Sequence, residues 1–238
     1  MRSGADFKAL AAARRRAKAR RRFGIAFSFT LVLALAASAF WAVWYSTALA
    51  VVNVKVVGLE SLGEDAVRTA AKVQVGTPLA AVSVNDVAAQ VAGLPAVAEV
   101  SVVRLWPSTV EISVRERKPR LVAKWAGSYF LADESGVAFQ VVESQPKGLL
   151  LVDANPAKAQ LLADAYSAYG ALSAETAEKV DYIWATTVDD ITLKLKSGDQ
   201  VVFGSVDQKE LKSQVLDVLL KQPAKSYDIS APAFPTIR

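Results

Sequence analysis

Apolar and polar positions follow several distinct patterns along this chain, and the first is an unbroken apolar run. No charged side chain falls between Arg22 and Lys55, and Phe23 to Tyr45 is almost wholly Ala, Leu, Val, Ile, Phe and Trp, interrupted by Gly24, Ser28, Thr30 and Ser38. Wound as a helix, this run reaches roughly 34 Å, enough for a hydrocarbon core of about 30 Å. A helix also satisfies its own backbone hydrogen bonds in lipid. Trp41, Trp44 and Tyr45 lie at the far end, where amphipathic rings favour the headgroup layer, and Arg14, Arg15, Arg16, Lys18, Arg20, Arg21 and Arg22 flank the near end. That asymmetry predicts a cytoplasmic N-terminus and sends everything after residue 50 across the membrane. Ala48-Leu49-Ala50 offers a small-residue cleavage site. The apolar core of a signal peptide runs about 7–15 residues, however, so an uncleaved anchor is expected.

Beyond residue 50 the pattern breaks into short strand and helix periods. Val51 to Leu59 reads as a strand with Val52, Val54 and Val56 on one face. Ser61 and Glu64 have capping-box spacing and open a helix bearing Val67, Ala70, Ala71 and Val73, which Gly76-Thr77-Pro78 ends. Ser83 caps a second helix, whose Val84, Val87, Ala88 and Val91 form one face until Gly93 and Pro95 stop it. Two β runs follow, Val97–Leu105 and Val110–Glu116, joined by Trp106-Pro107-Ser108-Thr109. Val110, Ile112 and Val114 alternate with Glu111, Ser113 and Arg115, the mark of a sheet with one buried face. The order β-α-α-β-β predicts a three-stranded sheet covered by two helices.

From Leu121 the periods become those of short strands punctuated by turns: Val122–Trp125, Tyr129–Ala132, Val137–Val142 and Leu149–Val152. A helix is predicted over Pro156–Leu172, with Leu161, Leu162, Ala165, Ala168 and Tyr169 on one side. Strands follow at Tyr182–Ala185, Ile191–Lys196 and Gln200–Phe203. A last helix, Gln208–Lys221, is expected to turn Leu211, Val215, Val218 and Leu219 inward and to leave Lys209, Lys212 and Lys221 outward. The chain then runs through Tyr227-Asp228-Ile229-Ser230-Ala231 to Pro232 and Pro235. Prolines cannot donate to a ladder, so Tyr227–Ala231 is expected to be a short edge strand with free N–H and C=O groups. Such an edge can accept a strand from another chain. Proline at Ile229 or Ser230 is therefore expected to weaken docking and spare the fold.

Composition narrows the chemistry. The 238 residues are 53% apolar and 21% charged, with no cysteine and no histidine. Disulfides, thiolate nucleophiles, imidazole bases and the usual zinc and copper sites are excluded. The formal charge of +5 splits unevenly. Residues 1–22 hold nine Lys/Arg against Asp6, a net of +8, and the remaining 19 bases and 22 acids leave −3. The basic tail abuts a membrane helix and has one aromatic, Phe7, so anionic lipid headgroups are its expected partner and nucleic acid is not. Candidate catalytic acids, Asp133-Glu134 and Asp189-Asp190, sit beside turns, and adjacent residues on a strand point apart. Ser144 and Lys147 lie in a polar loop with Pro146 and Gly148, and no phosphate-cradling glycine loop is present. The expectation is a protein with no catalytic residues, no metal and no cofactor.

Val97-Ala98-Glu99-Val100-Ser101-Val102-Val103-Arg104-Leu105-Trp106-Pro107-Ser108-Thr109-Val110, followed by Val114-Arg115-Glu116-Arg117-Lys118-Pro119, resembles the signature of the FtsQ/DivIB family of cell division proteins. The segment Val52–Pro119 resembles their POTRA domain. Val137-Ala138-Phe139, the run Leu193-x-Leu195-x-x-Gly198-x-x-Val201-x-x-Gly204, Lys212 and Tyr227-Asp228-Ile229-Ser230-x-Pro232 resemble their β domain. The resemblance implies an α+β chain with a single N-terminal transmembrane helix, a POTRA domain, then a β-rich domain with a C-terminal helix and terminal edge strand. The expected divisions are a basic cytoplasmic tail over 1–22, the transmembrane helix over 23–47, the POTRA domain over 51–119 and the β domain over 120–238. It also implies a scaffold at the division septum of the inner membrane, binding FtsB- and FtsL-type bitopic proteins and, through them, acting on FtsW and FtsI. The residues expected to meet the partner are Tyr227, Asp228, Ile229, Ser230 and Ala231, with Lys212 favouring an acidic segment. Some relatives present arginine and tyrosine at the last strand where this chain has Ser230 and Ala231, so only backbone docking carries over. The alternative of another class is an envelope enzyme, or its accessory, acting directly on peptidoglycan. Within the signature, Trp106 is expected to fill a corner of the core and Glu116 to pair with Arg117.

Overall fold

The computed structural model of the protein describes residues 23–25, 27–38, 40–44 and 49–238. The basic tail, Tyr45 and Ala48 lie outside the described residues. Helix α1 (Phe23–Trp44) is long and apolar enough to cross a membrane, and its apolar window buries nothing against protein. Phe23, Phe27, Phe29, Leu31, Leu33 and Leu35 are all exposed along it. A helix of this length and composition fits a membrane anchor.

The chain divides into two compact units. One comprises the residues up to Val57, Glu64–Gln90 and Ser101–Ser113, and the other Gly58–Gly63, Val91–Val100 and Val114–Arg238. The first elements beyond α1 are β1 (Asn53–Val57), α2 (Glu64–Ala71), α3 (Val84–Ala92), β2 (Val97–Leu105) and β3 (Thr109–Glu116). They give the expected β-α-α-β-β order and a three-stranded sheet, β1-β3-β2, with β1 parallel to the central β3. The alternation read along β3 holds, for Val110, Ile112 and Val114 are all buried. The hydroxyl of Ser83 accepts from the Asp86 amide at the start of α3, as its spacing predicts.

Ser61 and Glu64 do not form a capping box. Glu64 instead pairs with Arg68 one turn on, while Ser61 turns to Glu116. The buried Glu116 carboxylate accepts from the Glu60, Ser61 and Leu62 amides and from the Ser61 hydroxyl. It thus anchors the loop ahead of α2 from the end of β3. Arg117 does not pair with it, being 2.5 Å from Asp133 and also donating to the Pro95 carbonyl. Trp106 fills no core corner and is 54% exposed.

The larger sheet has nine strands in the order β12-β11-β10-β9-β8-β7-β4-β5-β6. They are β4 (Leu121–Trp125), β5 (Ser128–Ala132), β6 (Ala138–Val142), β7 (Leu150–Asp153), β8 (Val180–Thr187), β9 (Asp190–Leu195), β10 (Gln200–Gly204), β11 (Ser226–Asp228) and β12 (Thr236–Ile237). Trp125 faces Ser128 in register, so the β4–β5 loop is Ala126-Gly127, both with positive φ. That two-residue turn suits the right-handed twist of a hairpin. Helices α4 (Ala159–Gly170) and α5 (Ala174–Lys179) cross between the parallel β7 and β8, and α6 (Lys209–Leu219) crosses between the parallel β10 and β11. Leu161, Leu162, Ala165 and Ala168 of α4 join Ile183, Leu193, Val201, Phe203, Leu216, Tyr227 and Ile229 in one core. The helices are also tied together: Lys209 donates to Ser167, and Asp217 accepts from Ser173 and Thr176.

Candidate partner-docking edge

The segment Tyr227–Ala231 was expected to border the sheet, and its first half does not. β11 is bonded on both sides, parallel to β10 through Val201↔Tyr227 and Val202↔Asp228, and antiparallel to β12 through Tyr227↔Ile237 and Asp228↔Thr236. The Ser226 carbonyl accepts from the Arg238 amide, and the Lys225 and Ser226 amides donate to the Arg238 carbonyl. The chain's own backbone therefore occupies the ladder positions expected to be free. The strand ends at Asp228, ahead of Pro232 and Pro235, and the chain then turns back, so that Thr236 and Ile237 meet the strand they follow. The returning segment was not legible because two residues carry no period.

The side chains of the segment serve different ends. Tyr227 is buried, its hydroxyl donating to the Gln222 carbonyl and accepting from the Ala224 amide. Ile229 is fully buried, and its amide donates to the Val202 carbonyl, so proline there would break the chain's own ladder and core. Asp228 accepts from both the amide and the hydroxyl of Ser230. Ser230 and Ala231 are exposed. Gly204, with φ +72°, lies against this turn, and a Cβ there would come 2.9 Å from the Ser230 Cβ.

Lys212 is not a surface cation. It is 1% exposed, and its ammonium donates to the Phe203 carbonyl at 3.0 Å and the Ser205 carbonyl at 2.7 Å. The Nζ also stands 5.2 Å from the Phe203 ring centroid. Burial holds its pKa below the ordinary lysine value, with Asp207 opposing. α6 is rotated away from the face its apolar spacing suggests. Lys212, Ser213 and Leu216 form its buried face, and the apolar Leu211 and Val218 point to solvent. Lys212 therefore locks the end of β10 to α6 and is unavailable to an acidic partner.

β12 itself is lightly held. Thr236 and Ile237 are exposed, and Phe234 is 84% exposed. Almost no apolar burial retains this strand, so backbone hydrogen bonds are its main attachment.

Other acids are engaged locally. Asp133 accepts from Arg117, Ser135 and the Val137 amide, and Asp190 from the Thr186 hydroxyl. Among the described residues no group of three or more acids could hold a metal ion.

One membrane-length helix, a β-α-α-β-β module and a β-rich module with a lightly covered border define the class: an apolar helix that fits a membrane anchor, followed by an α+β module and a β-rich one. Residues 49–117 match the family model described as POTRA domain, FtsQ-type, and residues 121–231 the one described as Cell division protein FtsQ/DivIB, C-terminal. The chain is 36% identical over 204 residues to the cell division protein FtsQ of Mycobacterium leprae, an alignment covering 83% of this chain and 58% of that relative. It is 34% identical over 211 residues to FtsQ of Streptomyces venezuelae, covering 84% of this chain and 78% of the relative. For FtsQ of Streptomyces collinus the figures are 31% over 216 residues, with 84% and 82% covered. The chain belongs to the FtsQ/DivIB family of cell division proteins.

Proposed function

We propose that this chain is a bitopic division scaffold, with its N-terminus in the cytoplasm and its bulk outside, at the septum. It binds FtsB- and FtsL-type bitopic partners and through them regulates septal peptidoglycan synthesis by FtsW and FtsI. It acts by contact and not by catalysis. Docking is by strand addition alongside Ser226–Asp228, the incoming strand taking the place of β12 and running on past the exposed Ser230 and Ala231. The observation that carries this reading is that β12 covers the ladder while burying almost nothing. A partner strand offers the same backbone bonds, and side chains on alternate positions can add apolar burial that β12 lacks.

Deleting residues 232–238 tests it. With β12 gone, the ladder no longer has to be vacated, at a saving of about 1–2 kcal/mol for the bonds it makes. Affinity of the detergent-solubilised chain for an FtsB-type segment, measured by calorimetry, is then expected to rise on the order of ten-fold. Loss of binding on deletion would place the docking strand on the outer side of β12, and unchanged affinity would remove this border from partner recognition.

A further inference from the structure

We infer that one end of the first compact unit is a membrane-seating surface, resting in the headgroup layer of the bilayer crossed by α1. Three segments converge where the chain enters that unit. The Val51 amide donates to the Thr77 carbonyl, and the Gly76 amide to the Val51 carbonyl. The Val52 and Asn53 amides both donate to the Ser108 carbonyl. Residues 50–53, 74–78 and 105–109 thus form one end of the unit, and none of them is charged.

That end displays apolar side chains to solvent. Val75 is 70% exposed and Trp106 54%, with Val52 and Leu105 exposed beside them. Immediately beneath, Ala50, Val51 and Leu79 are buried, so the platform carrying these side chains is firm. The next charged residues along the chain from the three segments are Lys55, Lys72, Asp86, Arg104 and Glu111, and of the two acids Glu111 is already paired with Lys55 at 2.8 Å. Lys72 and Arg104, both exposed, outnumber the exposed Asp86 and leave the rim with a net positive charge.

Tether length decides between bilayer and protein as the occupant. Six residues separate Trp44, the last residue of α1, from Val51. Fully extended, the link from Trp44 to Val51 reaches about 25 Å at most, so this end cannot leave the neighbourhood of the membrane surface. A neutral apolar patch with an exposed tryptophan and a basic rim suits the boundary between acyl chains and anionic headgroups. The seat orients the unit by its own surface as well as by its tether.

The inference rests on α1 spanning the bilayer, and site-directed spin labelling separates the two. The chain has no cysteine, so one substitution gives one label. Full-length Val75→Cys, Val52→Cys, Leu33→Cys and Glu143→Cys variants would be labelled and reconstituted alone in vesicles of phosphatidylethanolamine and phosphatidylglycerol. Collision rates with oxygen, which enters the bilayer, and a nickel chelate, which stays in water, would then be compared. The Val75 and Val52 labels are expected to show an oxygen-to-nickel ratio several-fold above that of Glu143 and below that of Leu33. A ratio equal to that of Glu143, with Leu33 deep, overturns the seat alone. A water-exposed Leu33 label overturns the span and the seat together. Protection of Val75 that arises only after a partner protein is added would assign the patch to that protein and overturn the membrane seat.

Discussion

Glu116 carries a negative charge in a buried place, and three amides and a hydroxyl hold it there. Burial alone would raise its pKa. The hydrogen bonds from Ser61, Leu62 and Glu60 outweigh burial and bring the group from 4.5 to about 2. A carboxylate depressed in the fold stabilises it above its unfolded pKa, and that contribution is lost as pH falls through the folded value. A depression of this size corresponds to about 3 kcal/mol. Glu116→Gln keeps one acceptor oxygen but turns an amide toward donors, and is expected to lose about 2–3 kcal/mol at neutral pH. The gap between variant and parent should narrow from about pH 5 downward and nearly close near pH 2. Urea unfolding of the detergent-solubilised chain at stepped pH checks this. A gap that stays constant over the window would mean the charge contributes nothing.

Among elements, α6 marks where hydrophobic period and structure part company. Leu211, Val215 and Val218 recur at helical spacing and read as a core face, yet Leu211 and Val218 are exposed and Lys212 lies inside. Period alone predicts that a helix is present but does not say which face the sheet takes, and here two carbonyls at the end of β10 recruit a lysine. Lys212→Met should leave those carbonyls short of a donor and lower stability by about 1–3 kcal/mol. It should leave the salt dependence of partner binding unchanged, which a titration at two ionic strengths reads. A weakened salt dependence would restore Lys212 to the partner surface. Where a strand alternates cleanly, as Val110, Ile112 and Val114 do in β3, element, face and burial were all legible. The small elements were not. α5 carries its signal in Ser173, whose hydroxyl accepts from the Thr176 amide, but six residues make too short a period to stand out. β12 is two residues long, too short for a period, and is defined only by its pairing with β11.

The molecule joins a membrane-length helix to two family-matched modules in one chain, and this arrangement sets how strong each contact needs to be. Partners held in the same bilayer meet at an effective concentration fixed by tether length and not by expression level. On the proposed docking mode, a strand that must first displace β12 can be weak in solution and still be occupied at the membrane. The prediction is direct. A protease site inserted after Thr47, in full-length protein co-reconstituted with an FtsB-type bitopic partner, allows the outer part to be released without altering its surface. Before cutting, fluorescence transfer between labels on the two proteins should report high occupancy. After cutting and dilution at equal total protein, occupancy should fall by as much as a drop on the order of 10²-fold in effective concentration requires. The same cut in the 232–238 deletion should cost less occupancy, because its strand border is already open. If cutting leaves occupancy unchanged in both, the outer contacts are tight by themselves, and the lightly held cover over Ser226–Asp228 would have no role in setting when the partner binds.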